Sequence, residues 1–293
     1  MREKVLKIGL PKGSLQEATF RLFKDAGFNI SCSSRSYIPY IDDPQIQPYL
    51  MRAQEISKYV EEEALDCGIT GKDWIEENES EVRILTYLPY SKKSFGQVRW
   101  VIAVREDSSI NSIKDLEGKR IATELVNVTK KFLRQHKIKA EVEFSWGATE
   151  VKVKAGLVDA IVELTETGAS LRAHNLREIG EVCKSITCFI ANKNSYKDKW
   201  KKKKMNSLVL LLQSALNAQG MVGLKMNVLK KNIDKILKIL PSLKKPTISH
   251  LTDKNWVAIE VVVSEEEVKK LIPLLKERGA QGIFEFPLNK LVY

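Results

Sequence analysis

At 293 residues, with 43% hydrophobic and 29% charged side chains, the chain is long enough for two or three domains and a substantial core, which excludes disorder over most of its length. Its longest uninterrupted aliphatic run, at 208–212, is far short of a bilayer span, and no apolar signal core follows the few charged residues at the start; a cytoplasmic protein with no membrane partner is expected. The formal charge of +11 is compatible with a polyanionic partner, nucleic acid included, but much of it sits in runs at 197–204 and 225–245 that read as a loop-to-helix junction and a solvated helix face.

Hydrophobic spacing predicts a strand over 5–9, an amphipathic helix over 14–26 stopped by Gly27, and a strand over 28–33. Residues 39–48, bounded by prolines, read as loop; a helix over 56–63 precedes a buried strand over 66–69. A second unit opens with a strand at 98–105 and continues with a strand at 120–123, a helix at 126–136, and strands at 140–144 and 158–164. This strand–helix rhythm predicts mostly parallel sheet in two α/β lobes, with ligands at the carboxyl ends of the strands. Residues 176–192 read as return strands, and 205–219 as a helix apolar nearly all round. From Met221 the pattern becomes strand 222–228, helix 231–240, strand 246–251, strand 256–263, helix 265–278 and strand 282–287, the βαββαβ order of a ferredoxin-like domain.

The stretch Asp-Ala-Ile-Val-Glu-Leu-Thr-Glu-Thr-Gly-Ala-Ser-Leu at 159–171 carries the most chemistry. A buried strand enters a turn at 165–169 and then a helix start, where unpaired amides and the helix dipole favour an anion. Gly168 lets the backbone approach closely or adopt positive φ, and the Thr167 and Ser170 hydroxyls add donors. Glu163 and Glu166 beside such a site suit ribose hydroxyls or a bridging Mg2+ better than phosphate alone. The same residues also make an ordinary capped helix, with Ser170 or Thr167 as the cap. Cys32, Cys67, Cys183 and Cys188 have no Cys-x-x-Cys spacing and read as reduced thiols; His136, His174 and His250 share no metal spacing.

The 159–171 segment resembles the phosphoribosyl-pyrophosphate loop of the ATP phosphoribosyltransferases, an acidic residue followed by Thr-Gly-x-Ser/Thr-Leu. Further matches to that family run in order along the chain: Leu-Pro-Lys-Gly-Ser-Leu at 10–15, Asp-Cys-Gly-Ile-Thr-Gly-Lys-Asp at 66–73, Gly-Lys-Arg-Ile-Ala-Thr at 118–123, Gly-Ala-Thr-Glu at 147–150, and Lys-Pro-Thr-Ile-Ser at 245–249. The last is a mark of the long form, which has its own regulatory domain. The resemblance implies an α/β fold with a two-lobed periplasmic-binding-protein-like catalytic part, lobe I at 1–92 and 184–220 and lobe II at 93–183, followed by a ferredoxin-like (ACT-type) regulatory domain at 221–293.

It also implies an activity: N1 of the adenine of ATP displaces pyrophosphate from C1 of phosphoribosyl pyrophosphate, the first step of histidine biosynthesis, under feedback inhibition by histidine. Mg2+ would be held mainly through substrate, with Glu163 at most as a protein ligand. Carried over by position, Glu163, Thr165, Glu166, Thr167, Gly168, Ala169 and Ser170 would bind phosphoribosyl pyrophosphate, and Lys12, Gly13, Ser14, Leu15, Arg35, Arg52, Thr70, Gly71, Asp73 and Glu150 would bind ATP. Glu163 and Lys12 would be catalytic, while Asn227, Thr247 and Ala280 would take histidine. A homo-oligomer, as a hexamer, is the assembly the resemblance implies. ATP and phosphoribosyl pyrophosphate are anionic enough to account for a basic chain without nucleic acid. Asn227 departs from an expected acidic residue, and Ser57 and Glu63 stand where the family pattern has proline and glycine. A prephenate dehydratase or a non-catalytic amino-acid sensor would share the two lobes and the added domain, but neither needs the Thr-Gly-x-Ser loop.

Overall fold

The computed structural model describes residues 4–33, 37–90, 96–241 and 246–293. They pack as two compact units, one reaching to Val209 and the other spanning Leu210–Tyr293, with the division inside the helix Lys199–Ala218.

The first unit contains two five-stranded sheets. In the first, the order is Ile46–Arg52, Leu6–Lys12, Cys67–Gly71, Thr187–Ala191 and Arg83–Leu88; the first three run parallel, and Thr187–Ala191 is antiparallel to both of its neighbours. Leu6, Ile8 and Leu10 are wholly buried, as suits a central strand covered on both faces. The helix Ala53–Glu61 presses Ile56 onto this sheet at Gly68, where a β-carbon would collide with the Ile56 side chain. In the second sheet the order is Leu176–Ser185, Val98–Arg105, Ala160–Thr165, Arg120–Thr123 and Glu141–Phe144, the last three parallel. Apolar residues fill both of its faces, Trp100, Ile102, Ile121 and Val162 on one side and Val101, Ala103, Ala122 and Ile161 on the other.

The second unit forms one antiparallel sheet in the order Thr247–His250, Trp256–Ser264, Met221–Leu229 and Ala280–Pro287. With the helices Ile233–Leu237 and Glu265–Glu277 this is the ferredoxin-like arrangement, its core built on Leu224, Met226, Val228, Ile259 and Leu275.

Several expectations are corrected. Residues 39–48 are not all loop: Tyr40–Ile41 and the start of Ile46–Arg52 are strand. Pro48 fits because Ile46–Arg52 lies at the sheet edge, where one side of the strand needs no amide donors. The strand expected over 28–33 shrinks to Ile30–Ser31, and the helix expected over 231–240 to a 3-10 turn at Lys230–Asn232 followed by Ile233–Leu237. The helix expected from 205 starts at Lys199, so the basic run forms its first turns. There Lys201 pairs with Asp66 and Lys204 with Asp43, each at 2.6 Å, so those two lysines do not belong to a purely solvated face. That helix buries a stripe, Met205, Leu208, Leu212, Ala215 and Ala218, while Leu210 is half-exposed, so it is amphipathic rather than apolar all round.

Candidate active site

A cleft of about 320 Å³ opens in the first unit at the carboxyl ends of its parallel strands. From the first sheet come Lys12 to Leu15 after the second strand in that order, Arg52 and Gln54 after the edge strand, and Gly71, Asp73 and Trp74 after the third. From the second sheet come Glu124, just past Arg120–Thr123, and Glu163, Leu164 and Glu166 at the end of Ala160–Thr165. Gln54 Nε2 donates to Glu124 Oε2 at 3.2 Å and ties the two walls together.

The walls differ in charge. Lys12 and Arg52 stand on the first-sheet side, the Lys12 ammonium 3.5 Å above the centre of the Tyr37 ring, where the aromatic face stabilises it without neutralising it. Across the cleft, burial foremost pushes the Glu163 carboxyl up from the ordinary 4.5 to about 7, and the charges of Glu150 and Glu124 add to the rise. The Leu164 amide, donating to Glu163 Oε1 at 3.1 Å, opposes it. Thr149 beside these acids is fully buried, and its hydroxyl, directed at Glu163, acts with the Leu164 amide to lower the carboxyl's pKa.

The loop after Ala160–Thr165 is braced from within. Thr165 Oγ1 accepts the Gly168 amide at 2.8 Å and Thr167 Oγ1 accepts that of Ala169 at 3.4 Å. Gly168 has φ +72°, and a β-carbon there would fall 2.8 Å from Arg172 Nη1 and 3.0 Å from Glu178 Oε1. The first turn of Ala169–Ala173 closes with Arg172 N donating to Gly168 O at 3.1 Å. Glu166 lines the cleft; Thr167, Ala169 and Ser170 are exposed on the loop beyond it.

Of the expected residues, the cleft gathers Lys12, Gly13, Ser14, Leu15, Arg52, Gly71, Asp73, Glu163 and Glu166. Glu150 stays off the wall but is near enough to act on Glu163. Thr70 is turned inward, its hydroxyl donating to Ala53 O at 2.6 Å, so its expected contact with a ligand is replaced by a brace between strand and helix. Thr165 is likewise buried, with its hydroxyl engaged inside the loop. Asp73 reaches the cleft with its carboxylate already used: Oδ2 accepts Trp100 Nε1 at 2.7 Å and Oδ1 accepts Trp74 N at 3.0 Å, while its own amide donates to Ser185 Oγ at 3.1 Å. Burial raises its pKa. Asp73 therefore ties the two sheets together, with Trp74 and Trp100 in edge-to-face contact at 5.9 Å beside it. Arg35 lies outside the described residues.

Sequence reasoning missed Gln54, Trp74, Tyr90, Trp100, Ser185 and Thr187 in the lining. Tyr90 and Thr187 come from strand ends whose pairing nothing local announces; Trp74 directly follows a recognised motif and could have been included. Among the described residues no three Asp, Glu, His or Cys side chains are grouped as a metal cage.

In the second unit Asn227 lies opposite Ala258 and Gln281, and Ala280 opposite Val228, so Asn227 and Ala280 are neighbours. Thr247 pairs with Glu260, which faces Lys225, and so lies two strands from Asn227 and three from Ala280, about 10 Å and about 14 Å across the sheet. One chain does not bring the three side chains into a single pocket.

Fold and site define an α/β protein of two sheets with a ligand cleft at the carboxyl ends of their strands, one wall cationic and the other acidic. The family model described as HisG, ATP phosphoribosyltransferase, matches residues 52–214, and that of the HisG C-terminal domain matches residues 218–290. A protein named ATP phosphoribosyltransferase from Chlorobium phaeobacteroides is 57% identical over 99% of this chain and 98% of its own length; one of the same name from Thermodesulfovibrio yellowstonii is 56% identical over 100% of both. The solved ATP phosphoribosyl transferase (HisG:HisZ) complex from Thermotoga maritima contains a chain that is 28% identical, with a TM-score of 0.61, covering 71% of this chain and 97% of that one. This chain belongs to the ATP phosphoribosyltransferase family, in its long form, and the enzyme serves the first step of histidine biosynthesis.

Proposed function

We propose that the cleft joins N1 of the adenine of ATP to C1 of phosphoribosyl pyrophosphate and releases pyrophosphate. The observation that carries this is the pairing of a cationic wall at Lys12 and Arg52 with a carboxyl at Glu163, both at the carboxyl ends of strands. N1 supplies the electron pair of the new bond, and the C1–O bond breaks with its pair leaving on pyrophosphate, so no covalent enzyme intermediate is required. Catalysis then rests on positioning and charge: Lys12 and Arg52 stabilise the phosphates, while Glu163 holds ribose hydroxyls and faces the positive charge growing at C1. The loop from Thr165 to Ser170, at the end of a strand and the start of a helix, would take the 5′-phosphate, and Gly13, Ser14, Leu15 and Gly71 would shape the ATP side. With no protein cage among the described residues, Mg2+ would be held mainly by diphosphate oxygens and water, with Glu163 at the edge, and would neutralise leaving-group charge.

The strand Thr187–Ala191 rejoining the first sheet supports the division into lobe I at 1–92 and 184–220 and lobe II at 93–183. Histidine inhibition would act through the domain at 221–293, with Asn227 and Ala280 on one copy and Thr247 from another, which ties inhibition to a homo-oligomer and, by family, a hexamer. Control of this kind requires histidine to bind one of two states better than the other.

The test is an initial-rate assay with ATP, phosphoribosyl pyrophosphate and Mg2+, removing pyrophosphate enzymatically and following the ultraviolet change of N1-ribosylated adenine. Product that needs both substrates and is suppressed by histidine is expected. No product under any condition would overturn the reading, and product indifferent to histidine would overturn its regulatory half.

A further inference from the structure

Trp146 is 86% exposed, the most exposed of the chain's large apolar side chains among the described residues, and it follows a strand paired to the one after which Glu124 enters the cleft wall. The strand Glu141–Phe144 runs parallel to Arg120–Thr123, with Thr123 opposite Phe144, and Ser145 N donates to Thr123 O at 3.0 Å. One residue further along each strand stand Glu124, in the cleft wall, and Ser145, which is buried. Next, Gly147 and Ala148 both adopt left-handed backbone, φ +56° and +48°, unstrained at the glycine and uncommon at the alanine, and the turn leads into the helix Thr149–Lys154. A β-carbon on Gly147 would lie 3.9 Å from Glu124 Oε1, so the turn abuts the acidic wall. Phe144 meets Trp146 edge to face, ring centres 4.7 Å apart at 85°, which steadies the indole while its exposure leaves ring face open to solvent.

We propose that Trp146 is the stacking platform for the adenine ring of ATP. The inference rests on the proposed function and adds a specificity-determining residue to it. If ribose C1 reacts beside Glu163, the attacking purine must lie against it, and the side chains around Glu163 are Glu124, Glu150 and Thr149. Three carboxyl groups repel a triphosphate but accept hydrogen bonds from an exocyclic amine, so the base rather than the phosphates belongs at this end. The phosphates extend toward Lys12 and Arg52. From the strand carrying Glu163, across Arg120–Thr123, to the one ending at Phe144 is two strand spacings, about 10 Å, which is the span of a purine with its adjoining sugar. An exposed indole at the far side of that span offers the flat apolar surface a purine stacks on, and stacking of this kind changes affinity by roughly 10- to 100-fold per base.

Steady-state kinetics of Trp146→Ala and Trp146→Phe provide the test, with tryptophan emission of the full-length protein as a second measurement. The expected result is a KM for ATP raised roughly 10- to 100-fold in Trp146→Ala and mostly restored in Trp146→Phe, with the KM for phosphoribosyl pyrophosphate unchanged. ATP should quench emission more than inorganic tripolyphosphate does, and Trp146→Phe should lose that difference. An active wild type whose KM for ATP is indifferent to Trp146→Ala would overturn this inference alone. A variant that changes only the oligomeric mass would also overturn it, assigning the indole to a contact between copies. An inactive wild type would sink the functional reading, while the quenching difference would still decide whether Trp146 meets a base.

Discussion

At Glu163 the environment converts a carboxylate into a group that titrates near neutrality. Its folded pKa of about 7 stands above the ordinary 4.5, so between those values the folded chain holds a proton that the unfolded chain has released. The resulting stabilisation is full below about pH 4.5 and is lost as pH rises through 7. Because Glu163 retains some contact with water, the swing is about 1–2 kcal/mol. Thermal melts of wild type and Glu163→Gln from pH 4 to pH 8 should therefore diverge, the wild type losing more stability on the alkaline side. Parallel curves would contradict the assignment. The same substitution should lower kcat/KM about 100-fold, since a neutral amide cannot stabilise charge at C1. Asp73 shows how another carboxylic side chain, just past a strand end, takes a different part. Its oxygens are occupied by Trp100 and the Trp74 amide, and Gly71 must be glycine because a β-carbon there would collide with the Asp73 carboxylate. Position in a motif was readable from the sequence, but the direction of the carboxylate was not, because Trp100 and Asp73 meet only through the packing of two sheets.

At the level of elements, the loop after Ala160–Thr165 depends on one backbone angle. Gly168→Ala would place a β-carbon in the left-handed region against Arg172 and Glu178, costing about 1–2 kcal/mol in a conformation the loop cannot exchange for another. We expect the KM for phosphoribosyl pyrophosphate to rise at least tenfold while the global melt shifts by only a few degrees; an unchanged KM would remove the loop from the binding site. This turn was legible because strand, Thr-Gly pair and helix start are contiguous. The strand Ile46–Arg52 was not, since Pro48 within it is punctuation to any local reading, and only the edge position beside Leu6–Lys12 makes that proline admissible. The early start of Lys199–Ala218 was hidden for a related reason: a run of lysines has no apolar period, and its first turns hold through the distant partners Asp66 and Asp43.

Across the whole molecule, alternating strands and helices announced two α/β parts and a ferredoxin-like unit, because each follows from local period and chain order. The return of Thr187–Ala191 to the first sheet carries no local signal, being set by which buried edge is left to pair; it entered the reading through family resemblance. That return brings Ser185, Ile186 and Thr187 into the cleft lining. The most direct test of the account is a crystal structure of the full-length protein with phosphoribosyl pyrophosphate and Mg2+. The account predicts the 5′-phosphate on the loop from Thr165 to Ser170 and the ribose hydroxyls on Glu163, with the diphosphate directed toward Lys12; substrate bound elsewhere, with that loop and Glu163 untouched, would contradict it.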